Sequence, residues 1–262
     1  DSQKPGLKRL VAALKEVYPY ASVLAVADSS RSWSISRNGV NIDSGRFGGT
    51  GFVARVFDGI GCAEYSFNCF SEDMIPSILA VMESRLKAQN AALDGFAPLP
   101  TPVLTDEPAV LSKPASFKVD PKQLGDEAII AKLNGIREKA LKLDERIMEA
   151  QLGMSYRCCR KLFISEHRDL DQTIMWTTSS LAMMVAKGQE LKYSYKSFSN
   201  LGGAEVLDNV EANLPNVAKS AIELLDSQPI TPGEYECVCS PEVTGMIVHE
   251  AFGHGVEMDM FV

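Results

Sequence analysis

No run of about 18 apolar residues occurs in this chain, so nothing in it reads as a membrane-spanning helix. A cluster of lysine and arginine is missing too. The net charge of −8 and a pI near 5.0 argue against nucleic acid as a direct partner, because binding phosphates needs a basic surface. The phosphate-cradling pattern G-x-x-x-x-G-K-[ST] is absent, and Gly45, Gly48, Gly49 and Gly51 read instead as a bulge or edge turn. The six cysteines, Cys62, Cys69, Cys158, Cys159, Cys237 and Cys239, match neither a C-x-x-C zinc ribbon nor a secreted disulfide framework. Reduced, mostly buried thiols in a cytoplasmic setting are therefore expected. No secretory leader is present, although the numbering opens at Asp1 rather than at methionine, which leaves open a leader removed earlier. Histidine is scarce: there are three.

Two of those three stand in His249-Glu250-Ala251-Phe252-Gly253-His254, an H-E-x-x-x-H pattern. A neutral imidazole is a good zinc ligand, and a carboxylate beside a ligand can take a proton from water that the metal has acidified. The spacing is one residue longer than in the familiar H-E-x-x-H. At roughly 100° per residue, an i,i+5 pair on a straight helix lies about 140° apart, against about 40° for i,i+4. For His249 and His254 to share one ion the helix must bulge or break between them, and Gly253 and Gly255 bracket His254 where distortion is cheapest. The competing reading is a helix end whose histidine merely complements the helix dipole. Cys239 stands ten residues before His249 as a weaker ligand candidate, although alternation puts Tyr235, Cys237 and Cys239 on one strand face where packing explains them better.

The 262 residues, 45% hydrophobic and 23% charged, have an ordinary globular composition and suffice for one large domain or two smaller ones. Leu7, Leu10, Val11, Leu14 and Val17 repeat at helical spacing up to Pro19. Strands are expected over 22–27, 32–37, 40–47, 51–57 and 60–67, with hairpin turns at Asn38-Gly39 and Asp58-Gly59. A helix carrying Ile75, Ile78, Leu79, Met82 and Leu86 follows, running to about Leu93. Pro98, Pro100, Pro102, Pro108, Pro114 and Pro121 then interrupt any period, which reads as an extended excursion or linker. The spacing next predicts a long helix from Pro121 to about Glu149, strands over 155–165, 173–186 and 189–198, and a helix over 210–225. His167, among charged turn residues, reads as an exposed hairpin tip. Finally a strand over 234–240 feeds a helix through Ser240-Pro241, a capping hydroxyl followed by proline at the first helical position. The fold class expected is α+β: an antiparallel meander sheet packed by long amphipathic helices, ending in a strand-turn-helix that carries H-E-x-x-x-H.

The stretch from Pro232 to Asp259, PGEYECVCSPEVTGMIVHEAFGHGVEMD, resembles the signature of the TldD/PmbA family of metalloproteases. Ser34-Ile-Ser-Arg-Asn-Gly39, Gly51-Phe-Val-Ala-Arg55 and the order of the preceding elements resemble its TldD-type, metal-carrying branch. The resemblance implies zinc bound by His249 and His254 with Glu250 as general base, a further cysteine ligand from beyond Val262, and cleavage of unstructured peptides. It also implies a homodimer, or a heterodimer with a paralogue lacking the motif. Glu257 and Asp259 are candidates for orienting a ligand histidine. On this reading 1–97 is an N-terminal sheet unit, 98–121 a linker, 122–228 a helix with a second set of strands, and 229–262 the start of a C-terminal metalloprotease domain. The chain would then be an N-terminal fragment with weak or absent zinc and no activity alone. The alternative is a noncatalytic peptide-binding or regulatory subunit of the gyrase-modulator kind.

Overall fold

Alternation of small or β-branched residues along 20–36 and 147–165 drives these stretches to pair as two long neighbouring strands, and the remaining strands are added on either side of them. A computed structural model describes residues 3–44, 48–96 and 105–257. Among these, β1 (Tyr20–Ser36), β2 (Gly39–Asp43), β3 (Gly48–Phe57), β4 (Cys62–Phe67), β5 (Ala109–Lys113), β6 (Ile147–Ser165), β7 (Arg168–Lys187) and β8 (Glu190–Leu201) form one sheet. Its order is β4-β3-β1-β6-β7-β5, with β2 on β1 and β8 on β7. All pairings are antiparallel except β5 with β7. The helices are α1 (Lys4–Lys15), α2 (Ile75–Ala92), α3 (Pro121–Leu141), α4 (Val206–Ala212), α5 (Leu214–Leu225) and α6 (Pro241–Val248). The class is α+β, as the patterning predicts.

Residues 1–226 form one compact unit and 227–262 another. Within the first, β1 pairs with β6 through Val23↔Ile164 and Trp33↔Met154, so the 1–97 and 122–228 segments share one sheet. Two apolar clusters rest on that sheet. Leu7, Leu10 and Leu14 of α1 and Ile78 and Met82 of α2 pack on Val23, Ala54 and Ile164. Ile129, Leu133 and Ile136 of α3, with Val210 and Val217 of α4 and α5, pack on Trp33, Leu152, Met154 and Leu181. Burying each such Leu or Ile contributes about 1.5–3 kcal/mol, which outweighs local propensity wherever the two disagree.

Five local features differ from the periodicity. The two strands expected in 22–37 are one, because β6 offers a continuous partner from Ser22 to Ile35. The helix expected to reach Glu149 ends at Leu141; Asp144 Oδ1 accepts the Arg146 N–H at 2.9 Å in a tight turn, and Ile147, Ala150 and Leu152 are buried on the sheet instead. The helix expected over 210–225 is two, since Pro215 lacks an N–H and its ring obstructs the preceding turn. The proline-rich stretch contains β5, fitted between Pro108 and Pro114 at the sheet edge; the earlier prolines Pro98, Pro100 and Pro102 lie outside the described residues, as do Gly45 and Phe47. The segment 234–240 pairs with no strand among the described residues, so α6 follows a stretch without strand structure.

The turn residues behave as their chemistry requires. Gly39 adopts φ 125 where β1 turns into β2, and Gly59 adopts φ 100 in a link where Asp58 Oδ1 accepts the N–H groups of Ile60 and Gly61, both at 2.8 Å. That second link spans 58–61, longer than a two-residue turn.

Candidate metal centre

Ser240 begins α6 with extended backbone (φ −63, ψ 160), and its hydroxyl accepts the Val243 N–H at 3.5 Å. Pro241 occupies the first turn, where its missing donor costs nothing. The α-helix runs to Val248, and from His249 to Gly253 the chain widens into a π turn. Here the His254 N–H donates to the His249 carbonyl, an i→i+5 bond that stacks the sixth residue over the first. His254–Val256 then tightens into a 3₁₀ turn.

This widening resolves the angular problem posed by the spacing. The imidazoles of His249 and His254 meet with ring centroids 4.6 Å apart at an interplanar angle of 69°. Ligand atoms of His249, Glu250 and His254 all lie within 4.8 Å of one another, and all three side chains are exposed. Glu250 Oε2 stands 3.8 Å from His254 Nε2. On the other side of the same ring, Nδ1 of His254 is 2.8 Å from Glu257 Oε1. A carboxylate on Nδ1 favours the proton there and leaves Nε2 as the lone-pair nitrogen facing Glu250.

Gly253 has ordinary right-handed helical angles (φ −56, ψ −52), so the turn does not need its conformational freedom. An added Cβ would stand 3.9 Å from His249 Nδ1, an ordinary contact, so space does not require glycine here either. Asp259 lies outside the described residues. Cys239 does not join the cluster among the described residues, and Cys237 and Cys239 are both exposed rather than packed. Cys62 and Cys69 are exposed as well, Cys158 is half-buried and Cys159 is buried, so the expectation of mostly buried thiols fails. His167 sits exposed in the β6–β7 turn, 3.8 Å from Glu166.

Two imidazoles and a carboxylate are borderline-soft nitrogen and hard oxygen donors, a set that suits a divalent ion such as zinc. A catalytic zinc usually takes three protein ligands, one more than the two histidines would give it.

No family model matches the chain. It is similar to proteins named metalloprotease from two archaea. The Methanothermobacter thermautotrophicus protein is 31% identical over 84 residues, covering 31% of this chain and 18% of that one. The Archaeoglobus fulgidus protein is 36% identical over 77 residues, covering 29% and 18%. Among solved structures, a candidate modulator of a DNA gyrase from Thermotoga maritima superposes with a TM-score of 0.65 at 14% identity, over 88% of this chain and 50% of that one. TldE from Thermococcus kodakarensis superposes with a TM-score of 0.57 at 12% identity, over 84% and 47%. The chain thus spans about half the length of these solved neighbours. Fold and site together define an α+β protein with relatives named metalloproteases. The comparisons fit the TldD/PmbA family to which the Pro232–Asp259 signature points.

Proposed function

We propose that this chain supplies two ligands and the general base of a zinc-dependent peptidase that cleaves unstructured peptides. The observation that carries this reading is the i→i+5 bond from His254 to His249, which draws both imidazoles and Glu250 together at a spacing that a straight helix would splay. His249 and His254 would hold the ion. Zinc, when bound, supplies Lewis acidity toward the scissile carbonyl and lowers the pKa of water to about 7. Glu250 accepts the proton of the attacking water and returns it to the departing amine. Glu257 fixes the tautomer of His254 and keeps its Nε2 lone pair directed toward the site.

The resemblance implies a cysteine as the third protein ligand and, for the whole protein, assembly as a homodimer or as a heterodimer with a paralogue. The cysteine spacings, which match no secreted disulfide framework, support a reducing, cytoplasmic setting. No helix of the described residues is long and apolar enough to cross a membrane. A noncatalytic, gyrase-modulator-like subunit is the second reading, favoured by the solved neighbour described as a candidate gyrase modulator. It gives no reason for two imidazoles and a carboxylate to converge.

Metal content and cleavage of an unstructured peptide, measured on the whole protein beside its Glu250→Gln and His254→Ala variants, test the proposal. Glu250→Gln is expected to keep its metal and lose about 10²–10⁴-fold in rate, as removal of a general base does. His254→Ala is expected to lose metal and activity together. Full activity in a metal-loaded Glu250→Gln protein would rule out the general-base role.

A further inference from the structure

The approach to α3 crosses the turn that leads from β8 into α4, and one side chain joins the two segments. Glu205 Oε1 accepts the N–H of Gly203 at 2.9 Å and that of Lys118 at 3.2 Å, while its Oε2 accepts the N–H of Val119 at 3.0 Å. The main chain answers in the other direction, because the Ala204 N–H donates to the Val119 carbonyl at 2.8 Å. Three backbone donors from two segments thus converge on one carboxylate. Backbone N–H groups turned toward a common point make an anion-binding concavity, and an ionised acceptor strengthens each bond roughly twofold. Burial alone would raise the Glu205 carboxyl, yet the N–H groups of Gly203, Glu205 itself, Lys118 and Val119 hold it below the usual glutamate range. The fit is close. A Cβ on Gly203 would stand 1.9 Å from the Val119 carbonyl oxygen, an overlap with backbone that no rotamer could relieve.

The two sides of this junction are held very differently by the rest of the fold. On the turn side Ala204, Val206 and Leu207 are buried in the larger cluster, and the Gly202 N–H donates to the Met175 carbonyl at 3.1 Å. On the other side 115–117 make no backbone hydrogen bond among the described residues, and Val119 is only half-buried at the rim of that cluster. This stretch runs from the end of the β5 ladder at Lys113 to Asp120, whose Oδ1 caps α3 by accepting the Lys122 N–H at 2.9 Å. β5 and α3 therefore have hydrogen bonds of their own. We propose that Glu205 is the built-in ligand of a backbone anion site, and that its carboxylate decides whether 114–119 lies shut as a strap that can open without unfolding the sheet. With the charge removed, Lys118 and Val119 lose their common acceptor, and the bond from Ala204 to Val119 is left as a single neutral one. The strap then swings out between Lys113 and Asp120 while the buried turn beneath it stays in place. This inference is independent of the metal centre.

Amide exchange and limited trypsin digestion of the whole protein, beside its Glu205→Gln and Gly203→Ala variants, test the proposal. Trypsin reads the strap directly, because the Lys118–Val119 bond lies in it whereas the Lys113–Pro114 bond resists that enzyme. Glu205→Gln keeps the size of the side chain and replaces the carboxylate with a neutral amide. Exchange at Lys118 and Val119 and cleavage after Lys118 are expected to quicken at least about tenfold, as loss of hydrogen bonds to a charged group implies. Gly203→Ala keeps the carboxylate but displaces Val119, and is expected to quicken the same amides. In both variants exchange in β6 and α5 should match the unaltered protein, which shows that the fold is intact. Unchanged exchange at Lys118 and Val119 in the Glu205→Gln protein overturns the proposal. So does a rise shared equally by β6 and α5, which would make Glu205 one more contributor to global stability rather than the clasp of a strap.

Discussion

In the sheet-bearing unit Leu10, Ala54, Ile129 and Val185 are completely buried, whereas from Ser227 to Glu257 no described side chain is buried. The first region takes its shape from contacts between residues remote in sequence, such as Trp33 with Met154. The second takes its shape within a few residues: Ser240 caps α6, Pro241 sets its first turn, and the His254 N–H closes onto the His249 carbonyl. The contrast teaches that ligand convergence can be built from local backbone hydrogen bonding, while a sheet cannot. A short helix is marginal in water by itself, but a widened turn decides direction rather than stability.

The strongest way to break this comparison is Trp33→Ala. It empties a site in the larger cluster and removes the indole N–H that donates to Asp126 at 3.0 Å, and it is expected to cost about 3–5 kcal/mol in urea unfolding. Zinc affinity of the whole protein, measured by calorimetry where the variant is still folded, should not change; a parallel loss of zinc binding would show that the site depends on the core. The converse test lengthens the turn. An alanine inserted after Ala251 moves the imidazoles to i,i+6 and is expected to lower zinc affinity at least about tenfold with no change in thermal midpoint. Deleting Phe252 restores i,i+4, which a straight helix brings together, and should preserve binding.

Ser240→Ala sharpens the comparison on a smaller scale. Loss of the cap should cost the α6 region about 1 kcal/mol, read as faster amide exchange confined to α6. Exchange quickening equally in β1 and β6 would contradict it. The smallest effect concerns the α3–β6 turn, where the Arg146 side chain, and then its backbone N–H, lower the Asp144 carboxyl to about 2. A depressed carboxylate stabilises above its unfolded pKa of about 3.9, and that contribution is lost as pH falls toward 2. Asp144→Asn should therefore flatten the acid limb of stability between about pH 4 and pH 2, slightly, because the pair is solvated.

Much of the fold was legible. Leu7, Leu10, Val11 and Leu14 fall on the buried stripe of α1, Ile78, Met82 and Leu86 on that of α2, and Ile129, Leu133 and Ile136 on that of α3. The boundaries failed where one residue suits two periods. Ile147 and Ala150 continue the helical spacing of Ile136 and Ala140, yet the sheet claims them because it buries them beside β7. In the candidate centre, the need for a bend between His249 and His254 was readable from the angle alone. Its form as a π turn was not, nor was the contact of Glu257 with His254 rather than His249.

The residues alone determined which side chains could bind a metal, that their spacing demands a distorted helix, and where that helix begins, because capping, proline geometry and turn angle are local properties. Only the tertiary structure decided that Ser22 lies beside Ser165, that β5 runs parallel to β7, and that β8 pairs with β7. Strand partners are chosen by the total burial and hydrogen bonding of the whole sheet, and no short window of sequence contains that sum.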